Sequence, residues 1–212
     1  PLRETGSWAR DKYHYLGRYM RIFSTGMKNR WPQRVYVDLF AGPGRCRVRE
    51  TGEELDGSPL LALGCDFTSW LFVEKDGTYA SALRERCAKL KPGGRWRVVQ
   101  GDCNEAAQEI RCSLDTDSLA LMVVDPYGVT NLRFETVRRL TEDRRVDLIV
   151  TFPEEMAVKL NLWQWAQSSH CPLDDFMGGG QWRSALQRFR GATLPRLERT
   201  LAGEYKQALQ RI

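Results

Sequence analysis

Three features of the sequence predict a doubly wound α/β sheet. Short apolar segments alternate with amphipathic ones between residues 35 and 152. An acid and a glycine turn close the first apolar segment. A further acidic residue stands at the end of each of the next three. Val35-Tyr36-Val37-Asp38-Leu39-Phe40 is a nearly continuous apolar run, the kind buried on both faces of a parallel sheet. Residues 70–73, 96–100, 119–124 and 146–152 read as the strands that follow, and 79–90, 105–110 and 134–140 as the helices between them. Ahead of the sheet, residues 8–27 predict a helix. Trp8, Leu16, Tyr19, Met20, Phe23 and Met27 recur at three- and four-residue steps and form one apolar face, and Pro32 closes the segment. Past Phe152 the pattern changes. Residues 154–167 look helical, 174–182 read as a glycine-rich turn, and Leu194, Leu197, Leu201, Tyr205 and Leu209 line a final amphipathic helix within which the chain stops. The expected organisation is one domain over 1–212: an N-terminal helix (8–27), a five-strand core (35–152) and a helical C-terminal part (153–212).

A chain of 212 residues can bury a real core, and its 42% apolar and 28% charged content is ordinary for a globular protein. No apolar run approaches bilayer-spanning length, so no membrane partner is expected. Pro1-Leu2-Arg3-Glu4-Thr5 lacks the apolar stretch of a signal peptide, and an opening on Pro1 without Met predicts that the natural start is missing. The six cysteines, Cys46, Cys65, Cys87, Cys103, Cys112 and Cys171, contain no C-x-x-C pair. Neither a zinc site nor a disulfide framework is therefore expected, and the reading is of a reduced, cytoplasmic protein. The formal net charge of +5 permits an anionic partner such as nucleic acid.

Four motifs carry chemistry. The first is Asp38-Leu39-Phe40-Ala41-Gly42-Pro43-Gly44, where glycines let backbone approach a ligand beyond the strand ends. It departs from the dinucleotide G-x-G-x-x-G pattern because Arg47 takes the third glycine position, and the competing reading is a tight turn with a structural Asp. The second is Phe72-Val73-Glu74-Lys75-Asp76, whose strand-end carboxylate can accept both hydroxyls of a ribose. The third is Gly101-Asp102-Cys103-Asn104, whose Asp can accept from an adenine amine. Taken singly, the second and third motifs read as helix caps rather than ligand contacts. Their strength is their order along the sheet. The fourth is Asp125-Pro126-Tyr127-Gly128 after the most apolar strand. Asp125 and the carbonyl held by Pro126 can accept from a target amine, and Tyr127 can stack on a planar base; in isolation this would be a plain Asp-Pro turn.

Together these motifs resemble class I S-adenosylmethionine methyltransferases, whose fold is Rossmann-like. Asp125-Pro126-Tyr127-Gly128 is similar to the Asp-Pro-Pro-Tyr motif of amino-methyltransferases and closer to the Asp-Pro-Phe-Gly of transfer-RNA guanine-N2 methyltransferases. A more specific resemblance, over nearly the whole chain, is to the bacterial three-Cys-motif partner family. It rests on Trp8, Lys12 and Tyr19, residues 38–45, Gly57-Ser58-Pro59-Leu60-Leu61-Ala62-Leu63, the three later motifs, Asp147-Leu148-Ile149 with Phe152-Pro153, and residues 176–182. The three cysteines of that name belong to the partner protein. Motifs and resemblance imply S-adenosylmethionine as cofactor, bound by Asp38, Phe40, Ala41, Gly42, Gly44, Glu74, Lys75, Asp102, Cys103 and Asp125. Catalysis is expected at Asp125, Pro126 and Tyr127, with no metal. Such a sheet ordinarily has seven strands; five can be placed here, so a closing hairpin is expected after Ile212.

Residues 45–56 read as an insertion over the mouth of the site, since Ser58 and Pro59 suit the cap and first position of the following helix. Arg45, Arg47 and Arg49 would share one strand face, either as a phosphate clamp or as a solvated hairpin paired to Glu50, Glu53 and Glu54. Two functions from different classes follow. One is methyl transfer to an amine, with a nucleobase among the candidate acceptors. The other is a non-catalytic methyltransferase-like module that works with a three-Cys-motif partner protein. A nucleotide-dependent oxidoreductase is disfavoured by the missing third glycine and by the Asp125 motif. Neither the acceptor nor the oligomeric state is legible in the residues.

Overall fold

A computed structural model of the chain describes residues 1–153, 161–188 and 194–212. The contacts within it divide the chain into two compact units, 1–124 with 143–150, and 125–142 with 151–212.

The first unit opens with β1 (Arg3–Thr5) and α1 (Ala9–Gly26), followed by β2 (Arg34–Asp38) and the hairpin β3 (Arg45–Val48) and β4 (Glu54–Asp56). Then come α2 (Ser58–Leu63), β5 (Ser69–Glu74), α3 (Gly77–Leu90), β6 (Trp96–Gln100), α4 (Ala107–Cys112), β7 (Leu119–Val124) and β8 (Arg145–Val150). Five strands form one sheet in the order β6-β5-β2-β7-β8, all neighbours parallel. The chain moves outward from β2 through β5 to β6 and returns to the other side of β2 at β7. That reversal is the switch point at which open α/β sheets bind ligands beyond their carboxyl ends. The five strands anticipated from the sequence are all present, each within about two residues of the expected bounds. A second, three-stranded sheet joins β1 parallel to β3, and β3 antiparallel to β4.

Period-two alternation explains why both faces of the main sheet are buried. Tyr36, Trp70, Phe72, Val98, Leu121 and Val123 share one core with Leu16, Met20 and Phe23 of α1, Leu60 and Leu63 of α2, and Leu83 and Cys87 of α3. The alternate set, Val35, Val37, Leu71, Val73, Val99, Met122 and Val124, is equally buried. The indole of Trp70 satisfies its N–H on the Ala62 carbonyl at 2.9 Å, so this large ring enters the core without an orphaned donor. Arg34 is buried too, but its guanidinium donates to the carbonyls of Trp31, Pro32 and Asp66.

On α1 the expected apolar face is half right. Leu16, Met20 and Phe23 are buried, whereas Trp8, Tyr19 and Met27 are exposed; Ala9, Gly17 and Ser24 complete the buried stripe. The small residues let the helix approach its neighbours closely. Tyr19 instead stacks on Phe23 and donates its hydroxyl to Asp147 of β8. The cap of α2 also shifts by one: Gly57 is the N-cap, with Ser58 and Pro59 as the first helical residues.

The second unit holds a 3₁₀ turn (Val129–Asn131) and α5 (Phe134–Thr141), then the helices Leu162–Gln167, Pro172–Met177, Trp182–Arg188 and Leu194–Leu209. Of the helix expected over 154–167, residues 154–160 lie outside the described residues. The turn expected over 174–182 shrinks to 178–181, because Pro172–Met177 is helical and Trp182 opens the next helix. Pro172 at the first turn and Asp174 in a capping box with Cys171 start that helix, and Gly178 at φ 76° ends it. A side chain at Gly178 would also meet the Phe134 ring at 2.7 Å. Tyr205 packs in the core of this unit, stacked on Phe176 at 4.7 Å and close to Phe134 and Phe152. Among the described residues no helix is long and apolar enough to cross a membrane.

Candidate cofactor site at the strand ends

The glycine turn leaves β2 and is suspended from its neighbours by four consecutive amides. Leu39 N donates to the Val123 carbonyl (3.1 Å) and Ala41 N to the Val73 carbonyl (3.0 Å). Phe40 N donates to Asp38 Oδ1 (3.2 Å) and Gly42 N to Glu74 Oε2 (2.7 Å). The turn is thus fixed by β5, by β7 and by two of the predicted acids. Gly42 and Gly44 both take positive φ, +62° and +86°. At Gly44 a Cβ would stand 2.9 Å from Leu83 Cδ1 and 3.2 Å from Leu60 Cδ2, so the turn also requires a missing side chain. Gly44→Ala is expected to destabilise the first unit by roughly 2 kcal/mol or more, from left-handed strain plus overpacking. Urea unfolding measures this, and a midpoint unchanged from wild type would show that Leu60 and Leu83 move aside freely.

Asp38 is fully buried. Its Oδ2 accepts from the Tyr36 hydroxyl at 3.1 Å, the two residues sharing one face of β2. Burial, the Asp38 charge and that hydrogen bond push the Tyr36 phenol well above its ordinary value, so it remains a donor. Asp38 therefore shapes the turn from beneath. Glu74, 6% exposed, accepts from Gly42 N through one oxygen and from Asp76 N (2.7 Å) through the other. A carboxylate has about four acceptor positions, so among the described residues two stay open for further donors. Asp76 caps α3 by accepting from Tyr79 N at 2.9 Å.

Asp102 is half-buried. It accepts from the Asn104 amide (2.9 Å) and side chain (2.8 Å), and from Lys75 Nζ (3.0 Å). Burial opposes its charge, but the Asn104 and Lys75 donors outweigh that and hold its carboxyl below the usual range. Lys75 is exposed, and its hydrogen bond to Asp102 raises its ammonium. Cys103 is buried, and burial pushes its thiol up to about 12, which makes it a packing group. Phe40 is half-buried and Ala41 buried. The chain thus carries Asp38, Glu74 and Asp102 at or just past the carboxyl ends of three adjacent strands, β2, β5 and β6. Asp125 follows Val124, the last residue of β7, and begins the second unit. There Asp125 is half-buried, Pro126 buried, and the Tyr127 ring 48% exposed.

The arginine hairpin resolves as the solvated alternative. Arg45 pairs with Asp56 (2.9 Å) and Arg47 with Glu54 (3.1 Å) across β3 and β4, while Glu53 pairs with Arg10 of α1. Of the glutamates expected to pair with these arginines, Glu54 does so; Asp56, the partner of Arg45, was not among them.

No protein-family model matches the chain, and no curated protein does. Solved structures do. A candidate methyltransferase, yhhF of Escherichia coli, superposes with a TM-score of 0.44 at 20% identity, over 70% of this chain and 69% of that one. A candidate methylase of Haemophilus influenzae, HI0767, gives 0.43 at 19%, over 64% and 78%. A candidate S-adenosyl-L-methionine-dependent methyltransferase of Methanococcus maripaludis gives 0.38 at 15%, over 85% and 77%.

Sequence reasoning missed several residues around this turn. Tyr36 had a signal: it stands two residues before Asp38, on the same face of a buried strand, where a hydroxyl needs an acceptor. Arg86, which donates to the Pro43 carbonyl of the turn and to the Pro1 carbonyl, had none, because both partners are remote in sequence.

Proposed function

We propose that this chain is an S-adenosylmethionine-dependent methyltransferase acting on an amine, with a nucleobase among the acceptors. The observation that carries the reading is the row of carboxylates at the ends of β2, β5 and β6, set around a turn whose first amides are already occupied by protein. A turn built for pyrophosphate aims its N–H groups at the ligand. This one offers acids instead. They suit a ligand that is cationic at sulfur and rich in donors: an α-amino group, ribose hydroxyls and an adenine amine. Glu74, with two acceptor positions open, is assigned the ribose, and Asp102 the adenine amine. Asp38 acts through the turn it holds. Of the remaining predicted contacts, Phe40, Ala41, Gly42, Gly44 and Lys75 would line the same ligand, Cys103 would pack behind it, and Asp125 is assigned to the acceptor.

When bound, the cofactor supplies an electrophilic methyl group. The protein's part is positioning. Asp125 accepts from the target amine and holds its lone pair in line, and the exposed Tyr127 ring stacks on a planar acceptor. S-adenosylhomocysteine is expected to bind the wild type, and a Glu74→Ala, Asp102→Ala double variant at least about tenfold more weakly. Calorimetric titration measures both, and equal affinities would remove the ligand from these strand ends. A methyl-transfer screen over DNA, RNA and protein then separates the enzyme from a module that binds cofactor beside a three-Cys-motif partner and transfers nothing.

A further inference from the structure

We propose that Arg3 grips the carboxylate of the cofactor's amino-acid tail, an inference that rests on the methyltransferase reading above. The acids at the strand ends suit the donors of that ligand but leave its one anionic group without a counter-charge. The first unit brings the stem of a cationic side chain to the glycine turn. Arg3 lies on β1, paired with Cys46 of β3 just beyond the glycine turn. Its Cδ passes 3.9 Å from the point at which a Cβ on Gly42 would stand, so its aliphatic stem runs across the bare face of the turn.

The strand that presents Arg3 is built onto that turn. Arg86 donates both to the Pro43 carbonyl within the turn and, at 2.9 Å, to the Pro1 carbonyl two residues before Arg3. At the other end of β1, Arg49 N donates to the Thr5 carbonyl at 2.9 Å. Lys12 of α1 brings a second cation to the same corner: it and Arg3 both act on the Cys46 thiol, which burial raises. A guanidinium offers a planar pair of N–H donors that matches a carboxylate in two parallel hydrogen bonds, which an ammonium cannot do.

Two ligands isolate this contact. S-adenosylhomocysteine carries the amino-acid tail; 5′-methylthioadenosine shares its adenosine and thioether but lacks the tail. Arg3→Gln keeps an aliphatic stem beside Gly42 and removes the guanidinium with its charge and paired donors, so β1 retains its packing. Calorimetry should show Arg3→Gln binding S-adenosylhomocysteine about tenfold more weakly or worse, with 5′-methylthioadenosine affinity unchanged, and Arg3→Lys falling between. Equal losses for both ligands would make Arg3 a packing residue and overturn the proposal, as would no loss for either. If the wild type binds neither ligand, the strand-end reading itself fails and the carboxylate grip falls with it.

Discussion

Replacing Asp125 with alanine is expected to slow single-turnover methyl transfer by about a hundredfold or more, while cofactor affinity stays within about twofold of wild type. The expectation follows from where the chain carries this residue. β7 is the direct neighbour of β2 in the sheet, and Asp125 is the first residue past its carboxyl end. The acids assigned to the cofactor lie at the ends of β2, β5 and β6, and Asp125→Ala leaves all three in the chain. In the proposed mechanism the substitution removes one charge-assisted acceptor for the amine whose lone pair must be aimed. Such a contact at a reacting group is worth about 2–4 kcal/mol of barrier. Tyr127 offers an internal control. The residue is 48% exposed, and in the proposed mechanism its ring stacks on the acceptor. Tyr127→Phe should therefore be mild and Tyr127→Ala severe. Transfer by Asp125→Ala at the wild-type rate would reduce Asp125-Pro126-Tyr127-Gly128 to a turn.

The second large effect concerns stability. Asp174→Asn is expected to destabilise the second unit by about 2–4 kcal/mol, because a buried ion pair loses one partner and strands the other. Asp174 is 7% exposed and accepts four hydrogen bonds from three groups. Its Oδ1 accepts from the Trp182 indole at 2.8 Å and from the Arg183 guanidinium, and its Oδ2 accepts from Arg183 at 2.9 Å and from Cys171 N at 2.8 Å. One carboxylate thus joins the start of Pro172–Met177 to the start of Trp182–Arg188. Burial alone would raise its pKa, but Arg183, Trp182 and the Cys171 amide prevail and hold it well below the ordinary carboxylate range. A depressed folded-state pKa fixes the sign of the pH dependence. The stabilisation is complete above the unfolded value of about 3.9 and is lost as pH falls below it toward the folded value. Hydrogen exchange over residues 161–188 at neutral pH reads the change, and wild-type protection in Asp174→Asn would show that the four contacts contribute nothing net.

The acids and glycines at the strand ends were legible because their logic is local. An acid four residues before a glycine at a strand end, and an acid after each following strand, are patterns in the order of residues. Tyr36 and Asp174 were legible in principle. One is a period-two neighbour of a buried acid, and the other is the third position of a helix that opens on proline. The turn expected over 174–182 failed because three successive glycines outweighed that start signal.

By itself the sequence determined the five parallel strands, their order along the chain and the identity of the residues at their carboxyl ends. Strands buried on both faces must be apolar throughout, and glycine must stand where φ is positive, so both demands are written into adjacent residues. Only the tertiary structure decided that Asp38 is sealed beneath its own turn, that Trp8 and Tyr19 face outward while Gly17 and Ser24 face in, and that β1 pairs with β3 to carry Arg3 across Gly42. Those outcomes depend on which remote segments come to lie side by side. A pairing such as Arg3 with Cys46 is selected by the closure of the whole unit and leaves no periodic trace near either residue.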